Sequence, residues 1–158
     1  QLLPYTDDWR VLERLRPDPL LRLAVLAQDP LSMPERWRLS NHEARRLEAI
    51  VSLMPPTPAL RPQEQRIILY QHGAEAWRDL VRIAWARSVA PPDDAGWRDL
   101  LELPERWPIP VLPVSGRDLL SAGMSPGPEI GVKLKTLEDW WVASDFAPTR
   151  DELLKRLT

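Results

Sequence analysis

Two glycines and two lysines at the start of one helix-like segment form the pattern most suggestive of chemistry. Gly127 and Gly131 lie four residues apart, and Lys133 and Lys135 follow on the same segment. A helix N-terminus presents unpaired backbone N–H groups and a partial positive charge. Glycine adds no side chain, so another backbone can come close. The pattern therefore predicts a contact with phosphate, with the lysines as counter-charges.

A second interpretation of the same residues is structural. Ser125-Pro126-Gly127-Pro128 is typical of a turn between two helices, and small residues there also allow the helices to pack closely. Asp118 and Glu129 place negative charge near the predicted phosphate contact. The residues alone leave both interpretations open.

Catalytic chemistry has few candidates in this chain. There is no cysteine, and the two histidines, His42 and His72, do not have metal-ligand spacing. The sequence contains no glycine-rich nucleotide loop and no Asp-x-Asp pair. We therefore expect no catalytic, metal-binding or nucleotide-binding residue and no cofactor in this chain.

Arginine dominates the positive charge. Of 21 basic residues, 18 are Arg, and residues 35–90 hold nine Arg against six acids. Residues 91–158 hold eight basic residues against twelve acidic ones, and the formal net charge of the chain is −2. Arginine suits bidentate contacts with phosphate, although the base composition of a GC-rich gene produces the same excess.

Helical periodicity recurs throughout, and no clear alternating strand pattern occurs. We expect an all-α fold, an irregular bundle of about seven to nine short helices that ends in a helical hairpin, with no significant sheet. Three segments begin with a hydroxyl residue followed three positions later by an acid, which predicts helix caps at Ser40, Ser115 and Thr149. Helices are also expected at about residues 7–16, 20–27 and 94–107 and from Pro62, with a stop at Gly73.

Pro91-Pro92 separates the positively and negatively charged regions. It predicts a helical body over residues 1–90 and a helical tail over residues 91–158, with the hairpin at 115–142. No run of 18 apolar residues occurs and the first residues lack the features of a signal peptide, so we expect no membrane partner and a cytoplasmic location.

Ordered motifs in the tail resemble a known family. The stretches LPVSGRDLLSAGMSPGPEIGVKLKTLEDWW and FAPTRDELLKRL, preceded by RLRPDPLLRLAVLA and RLSNHEARRLEAIV, are similar to the C-terminal half of bacterial tRNA nucleotidyltransferases of the CCA-adding enzyme and poly(A) polymerase family. The matching residues are Gly116, Asp118, Leu119, Leu120, Gly123, Pro126, Gly127, Pro128, Ile130, Gly131, Leu134 and Glu138 to Trp141.

This resemblance implies an RNA-binding role. In the family, a catalytic head adds C and A residues to an RNA 3′ end with CTP or ATP and Mg²⁺, and the body and tail hold the acceptor and T-arm of tRNA. The head and neck motifs are not found here. The stretch beginning at Glu138 starts like the neck motif, but it has Val142 where that motif requires Arg. The resemblance therefore implies a tRNA-positioning region that is not catalytic alone.

The RNA-binding candidates combine the resemblance with the positive charge. They are Arg38, Arg45 and Arg46 in the body and Gly127, Gly131, Lys133 and Lys135 in the tail. The expected partners are tRNA, the catalytic head of the same protein and a second copy of the chain. Two other functions stay open: a protein-interaction or dimerisation module without RNA contact, and a helical-hairpin DNA-binding module.

Overall fold

The computed structural model describes residues 18–26 and 37–157. Within these residues the backbone forms helices and no strand, which confirms the predicted all-α class. The helix predicted at about residues 7–16 lies outside the described residues. The described helices are α1 (Pro19–Leu26), α2 (Asn41–Ser52), α3 (Pro62–Arg87), α4 (Ala95–Leu101), α5 (Leu103–Arg106), α6 (Gly116–Ser121), α7 (Glu129–Ala143) and α8 (Arg150–Lys155).

A first hydrophobic cluster joins the first three helices. Its buried side chains come from all three helices, and the half-buried Leu39 packs against it just before α2 begins. These residues recur at helical spacing, so each helix buries one face and leaves the opposite face polar. The buried members are Leu20, Leu21, Ala24, Leu47, Ile50 and Ile83.

Helix α3 breaks at Gly73, as the sequence predicts. Gly73 has φ 80° and ψ 168°, a conformation that a residue with a Cβ rarely adopts. The helix resumes after it, and Trp77, Leu80, Val81 and Trp85 form a buried stripe. The second half of α3 therefore supplies a continuous apolar face to the core of the first unit.

The chain divides into two compact units, residues 1–108 and 109–158. This division falls later than Pro91-Pro92, because α4 packs on α3 across that proline pair. Trp97 stacks on Trp85 with ring centroids 6.3 Å apart, and Trp77 Nε1 donates a 2.8 Å hydrogen bond to the carbonyl of Leu100. The segment expected as one helix over residues 94–107 is two, since α4 ends at Leu101 and α5 begins at Leu103.

The second unit contains the predicted hairpin, α6 and α7, followed by α8. Its core consists of Val114, Leu119, Leu137, Trp141 and Leu153. Among the glycines of this unit the closest approach is at Gly116, where an added Cβ would lie 3.3 Å from Ile130 Cγ2. Close packing in this hairpin therefore depends on Gly116 rather than on Gly127 or Gly131.

All three predicted helix caps are present. Ser40, Ser115 and Thr149 each donate their backbone N–H to the acid three residues later, at 2.8 Å in every case. The apolar spacing in SNHEARRLEAIVSLM also predicts Val51 and Met54 in the core, but both side chains are exposed. Met54 is 84% exposed because α2 ends at Ser52 and Met54 lies beyond the helix, and Val51, in the last turn of α2, is 39% exposed.

A helix that spans a lipid bilayer needs a long and predominantly apolar stretch of residues. Across residues 18–26 and 37–157, none of them is both long enough and apolar enough to cross a membrane.

Candidate nucleic-acid interface

The start of α7 is open at both glycines of the predicted phosphate contact. Gly127 and Gly131 are exposed, and a Cβ added to either would meet no atom within 4 Å. Neither glycine is therefore needed to pack one described helix against another. The open space leaves room for a bound group, as the phosphate interpretation requires.

Few backbone donors are left free at this helix start. The amides of Ile130 and Gly131 donate to the carbonyls of Gly127 and Pro128, at 3.2 and 3.1 Å. Pro128 has no N–H. Among the described residues, the amides of Gly127 and Glu129 donate to no carbonyl. Two N–H groups at the end of the helix dipole are thus available to an external acceptor.

The two candidate lysines differ in their surroundings. Lys135 Nζ lies 3.0 Å from Asp139 Oδ1 and 3.1 Å from Glu138 Oε2, and these carboxylates raise the pKa of Lys135. Lys133 is half-buried and makes no ion pair with any described residue. A phosphate would compete with two carboxylates for Lys135 but not for Lys133.

The two acids expected to oppose a phosphate are also unlike each other. Asp118 Oδ1 accepts a 2.6 Å bond from Arg150, and Asp118 Oδ2 accepts from the backbone and hydroxyl of Ser115. The Arg150 guanidinium and the Ser115 donors lower the pKa of Asp118 to about 2. Arg150 thus offsets the charge of Asp118, whereas Glu129 is exposed at the start of α7.

Arg117 is a basic residue that sequence reasoning missed. It is exposed on the first turn of α6 and pairs with no acid among the described residues. In the sequence its neighbour Asp118 suggests local neutralisation, but in the fold Asp118 binds Arg150, which lies 32 residues away. Only the tertiary contact shows that Arg117 is free of this acid.

Arg38 and Arg45 are exposed in the first unit. Neither makes an ion pair with an acid among the described residues. Arg38 has φ 52°, in the left-handed region, immediately before the segment that caps α2. Both guanidinium groups are available to phosphate.

Arg46 is engaged inside the protein. Its Nη2 donates to Asp79 Oδ1 at 2.8 Å, and the guanidinium also bonds Asp18 Oδ2 and Asp79 Oδ2. The hydrogen bond to Asp79 is the main reason that the pKa of Arg46 is raised. Arg46 thus joins α2 to the carboxylates of Asp18, beside α1, and Asp79, on α3. Because its guanidinium is occupied by these carboxylates, its position argues against the predicted RNA contact.

Burial is unfavourable for the two carboxylates that bond Arg46, those of Asp18 and Asp79. Asp79 is 1% exposed, the only buried charged residue in the described part of the chain. Burial tends to raise the pKa of Asp18, but hydrogen bonds from Arg46 and from the amides of Leu20 and Leu21 outweigh it and lower the pKa. The cluster is a structural ion-pair network.

The histidines and acids do not assemble a metal site. His42 Nε2 lies 2.9 Å from Glu75 Oε2, and both side chains are exposed. Over the ranges that the structure covers, no three histidine or carboxylate side chains converge as ligands for a metal ion. These residues therefore do not fit the Mg²⁺ that the resemblance implies for a catalytic head.

Sequence comparison adds a direct observation on kinship. The chain is 44% identical over 63 residues to the mitochondrial CCA tRNA nucleotidyltransferase 1 of Danio rerio, a match covering 40% of this chain and 15% of that protein. It is 41% identical over 59 residues to the Mus musculus protein of that name, covering 37% and 14% respectively. Part of this chain is related to tRNA nucleotidyltransferases.

The Homo sapiens protein of the same name gives 44% identity over 55 residues, covering 35% of this chain and 13% of that protein. The chain thus spans about 15% of the length of the curated relatives it matches. No family model matches the chain. These relatives are vertebrate proteins, so the bacterial subgroup suggested by the motifs stays a prediction.

Proposed function

We propose that this chain is the tRNA-holding helical region of a tRNA nucleotidyltransferase. It binds the acceptor and T-arm of tRNA through their backbone, while a nucleotidyltransferase head adds C and A residues to the 3′ end with CTP or ATP and Mg²⁺. The single observation that carries the proposal is the 44% identity over 63 residues to a CCA tRNA nucleotidyltransferase. No step of this proposal runs through a metal held by this chain.

The surface chemistry of both units supports this role. In the first unit Arg38 and Arg45 are exposed without acidic partners. In the second unit Lys133 belongs to the same helix as the open glycines. Double-stranded RNA is recognised by shape and by contacts with phosphate and ribose rather than by base edges. Dispersed cations beside open backbone fit that kind of recognition.

Binding of a tRNA acceptor–T-arm minihelix by charge variants tests the proposal. Arg45→Gln and Lys133→Gln should each weaken binding, and each should reduce the slope of log affinity against log salt by about one. Arg106→Gln is the matched control, because its guanidinium already pairs with Asp99 at 3.0 Å. Equal effects of all three substitutions, or none, would argue against phosphate contacts at the proposed positions.

A protein-interaction or dimerisation module is the second candidate. Its supporting observation is the exposure of apolar side chains in the second unit, where Val111 is 86%, Val132 69% and Leu120 41% exposed. Exposed apolar groups of this kind mark surfaces that a partner covers. Concentration-dependent dimerisation in sedimentation experiments, with no binding of the minihelix, would favour this candidate over the RNA-holding role.

Three finer points belong to the same proposal. They are addition of CCA rather than A alone, a cytoplasmic location, and a homodimer as the working assembly. The RNA-holding role predicts tighter binding of the minihelix than of duplex DNA, whereas a helical-hairpin DNA-binding module predicts the reverse. Titration with a duplex DNA of the same sequence as the minihelix distinguishes the two.

A further inference from the structure

Trp37 is the exception among the tryptophans of the described residues. It is 60% exposed, whereas Trp77, Trp85, Trp97 and Trp141 are at most 7% exposed. An exposed indole keeps a large apolar face in water, which is unfavourable unless a partner covers it. Trp107 and Trp140 are half-buried, and the guanidinium of Arg156 lies 4.4 Å from the Trp140 ring.

The chain after Trp37 holds this residue in a defined place. Leu39 packs against the hydrophobic cluster of the first unit, and Ser40 caps α2 through reciprocal bonds with Glu43. Between Trp37 and Leu39, Arg38 adopts φ 52°. A left-handed conformation is unfavourable for a residue with a Cβ. Such strain persists where surrounding structure imposes it, and it is concentrated at functional sites.

The chemistry beside Trp37 favours nucleic acid over an apolar partner. Arg38 is exposed and has no acidic partner among the described residues, and the same holds for Arg45 on α2. An exposed aromatic ring next to an unpaired guanidinium is the combination that stacks on a base and neutralises its phosphate. Glu43, the nearest described acid along the chain, is engaged through Oε2 with Ser40.

We propose that Trp37 stacks on an unpaired base at the 3′ end of the bound RNA while Arg38 contacts the adjacent phosphate. This inference rests on the proposed tRNA-holding function and adds one class of ligand to it. In a duplex the faces of internal bases are covered by their neighbours, so a stacking side chain needs a base that is unpaired or at an end. The RNA surface at Trp37 is therefore not continuous helix.

Two RNAs separate this contact from general backbone binding. One is a blunt acceptor–T-arm minihelix, and the other is the same minihelix with unpaired nucleotides at its 3′ end. The 158-residue chain and its Trp37→Ala, Trp37→Phe and Met54→Ala variants are titrated with both RNAs. Met54 is the matched control, since its side chain is 84% exposed and apolar but not aromatic.

Trp37→Ala should weaken binding of the tailed RNA by about 5- to 100-fold and leave binding of the blunt RNA unchanged. Trp37→Phe should retain most of the affinity, and Met54→Ala should match the wild type with both RNAs. Because Trp37 is largely exposed, the melting temperature should be nearly unchanged in every variant.

Four outcomes would overturn the inference. If Trp37→Ala does not weaken binding of the tailed RNA, or weakens binding of both RNAs equally, Trp37 does not stack on an unpaired base at the 3′ end. If Trp37→Ala instead disrupts self-association of the protein, its partner is protein. If the wild type binds neither RNA, the proposed function fails together with the inference, whereas intact binding that ignores Trp37 overturns the inference alone.

Discussion

At the residue scale, Arg45 and Arg46 are neighbours in sequence with different surroundings. Arg45 projects into solvent, whereas Arg46 reaches Asp79, which is 1% exposed. Helical geometry separates adjacent side chains by about 100°, so one faces water and the other faces α3. Charge alone therefore does not decide which arginine is available to RNA.

Arg46→Ala should lower the free energy of unfolding by about 3 kcal/mol, because it leaves the buried Asp79 carboxylate without its main partner. Arg45→Ala should change it by less than about 0.5 kcal/mol, as expected for an exposed residue. Urea denaturation of both variants measures the difference. Equal stabilities would show that Arg46 does not stabilise the first unit.

Acid should weaken the second unit through Asp118. The pKa of Asp118 is lowered to about 2 in the folded chain from an ordinary value of 3.8, chiefly by the bond from Arg150. An acid with a depressed folded pKa stabilises the fold above its unfolded pKa, and this contribution is lost as the pH falls through the folded value. Asp118→Asn should therefore flatten the loss of stability between about pH 4 and pH 2.

Thermal unfolding of the wild type and Asp118→Asn across that pH range measures this contribution. Asp151→Asn is the matched control, since Asp151 lies 3.8 Å from the same guanidinium and is largely exposed. A pH profile for Asp118→Asn that is parallel to the wild-type profile would contradict a stabilising Asp118–Arg150 pair.

At the element scale, glycines in two helices have opposite structural roles. Gly73 breaks α3 with φ 80°, whereas Gly131 lies within α7 with no positive φ. A Cβ added at either position meets no atom within 4 Å. Backbone conformation alone therefore decides the effect of alanine on stability at these two sites.

Gly73→Ala should destabilise the protein by about 1–3 kcal/mol, since alanine strains this conformation. Gly131→Ala should stabilise it by about 0.5 kcal/mol, because alanine favours helix over the unfolded chain. Melting temperatures of the two variants measure both effects. A destabilising Gly131→Ala would show that the glycine has a packing role inside the protein.

The same Gly131→Ala variant tests the interface. If an RNA backbone lies against the open face of α7, the added methyl group should weaken minihelix binding even though the fold becomes more stable. Opposite changes in stability and affinity separate a contact from a folding defect. Unchanged affinity would place the RNA elsewhere on the chain.

Local signals in the sequence predicted the elements well. The three caps depend on residues three positions apart, and the Gly73 break depends on one residue, so short-range chemistry is sufficient for both. Met54 was wrongly expected in the core because the helical periodicity was extended beyond Ser52, where α2 ends, and Val51 is 39% exposed although it lies within α2. Periodicity does not fix a helix end to one residue.

Tertiary contacts were not predictable in the same way. Neither the Arg46–Asp79 pair nor the Arg150–Asp118 pair follows from local spacing, since their partners are 33 and 32 residues apart. The first pair leaves Arg45 rather than Arg46 available, and the second leaves Arg117 rather than Arg150 available. The open space at Gly127 and Gly131 likewise depended on how the hairpin packs through Gly116.

At the scale of the whole molecule, the net charge is weakly negative although several cations of the described residues are exposed without acidic partners. The formal net charge is −2, so attraction to RNA cannot arise from the chain as a whole. It has to arise where cations lack acidic partners, as at Arg38, Arg45 and Lys133 in the described residues. Contacts of this kind release condensed counterions from RNA, so their affinity depends on salt.

The dissociation constant for the tRNA acceptor–T-arm minihelix, measured from about 50 to about 200 mM salt, tests the central claim most directly. With about three phosphate contacts the affinity should fall roughly 40-fold over this range. A variant combining Arg38→Gln, Arg45→Gln and Lys133→Gln should lose most of that dependence. Binding that does not change with salt, or no binding at the lowest salt, would contradict a chain that holds tRNA by its backbone.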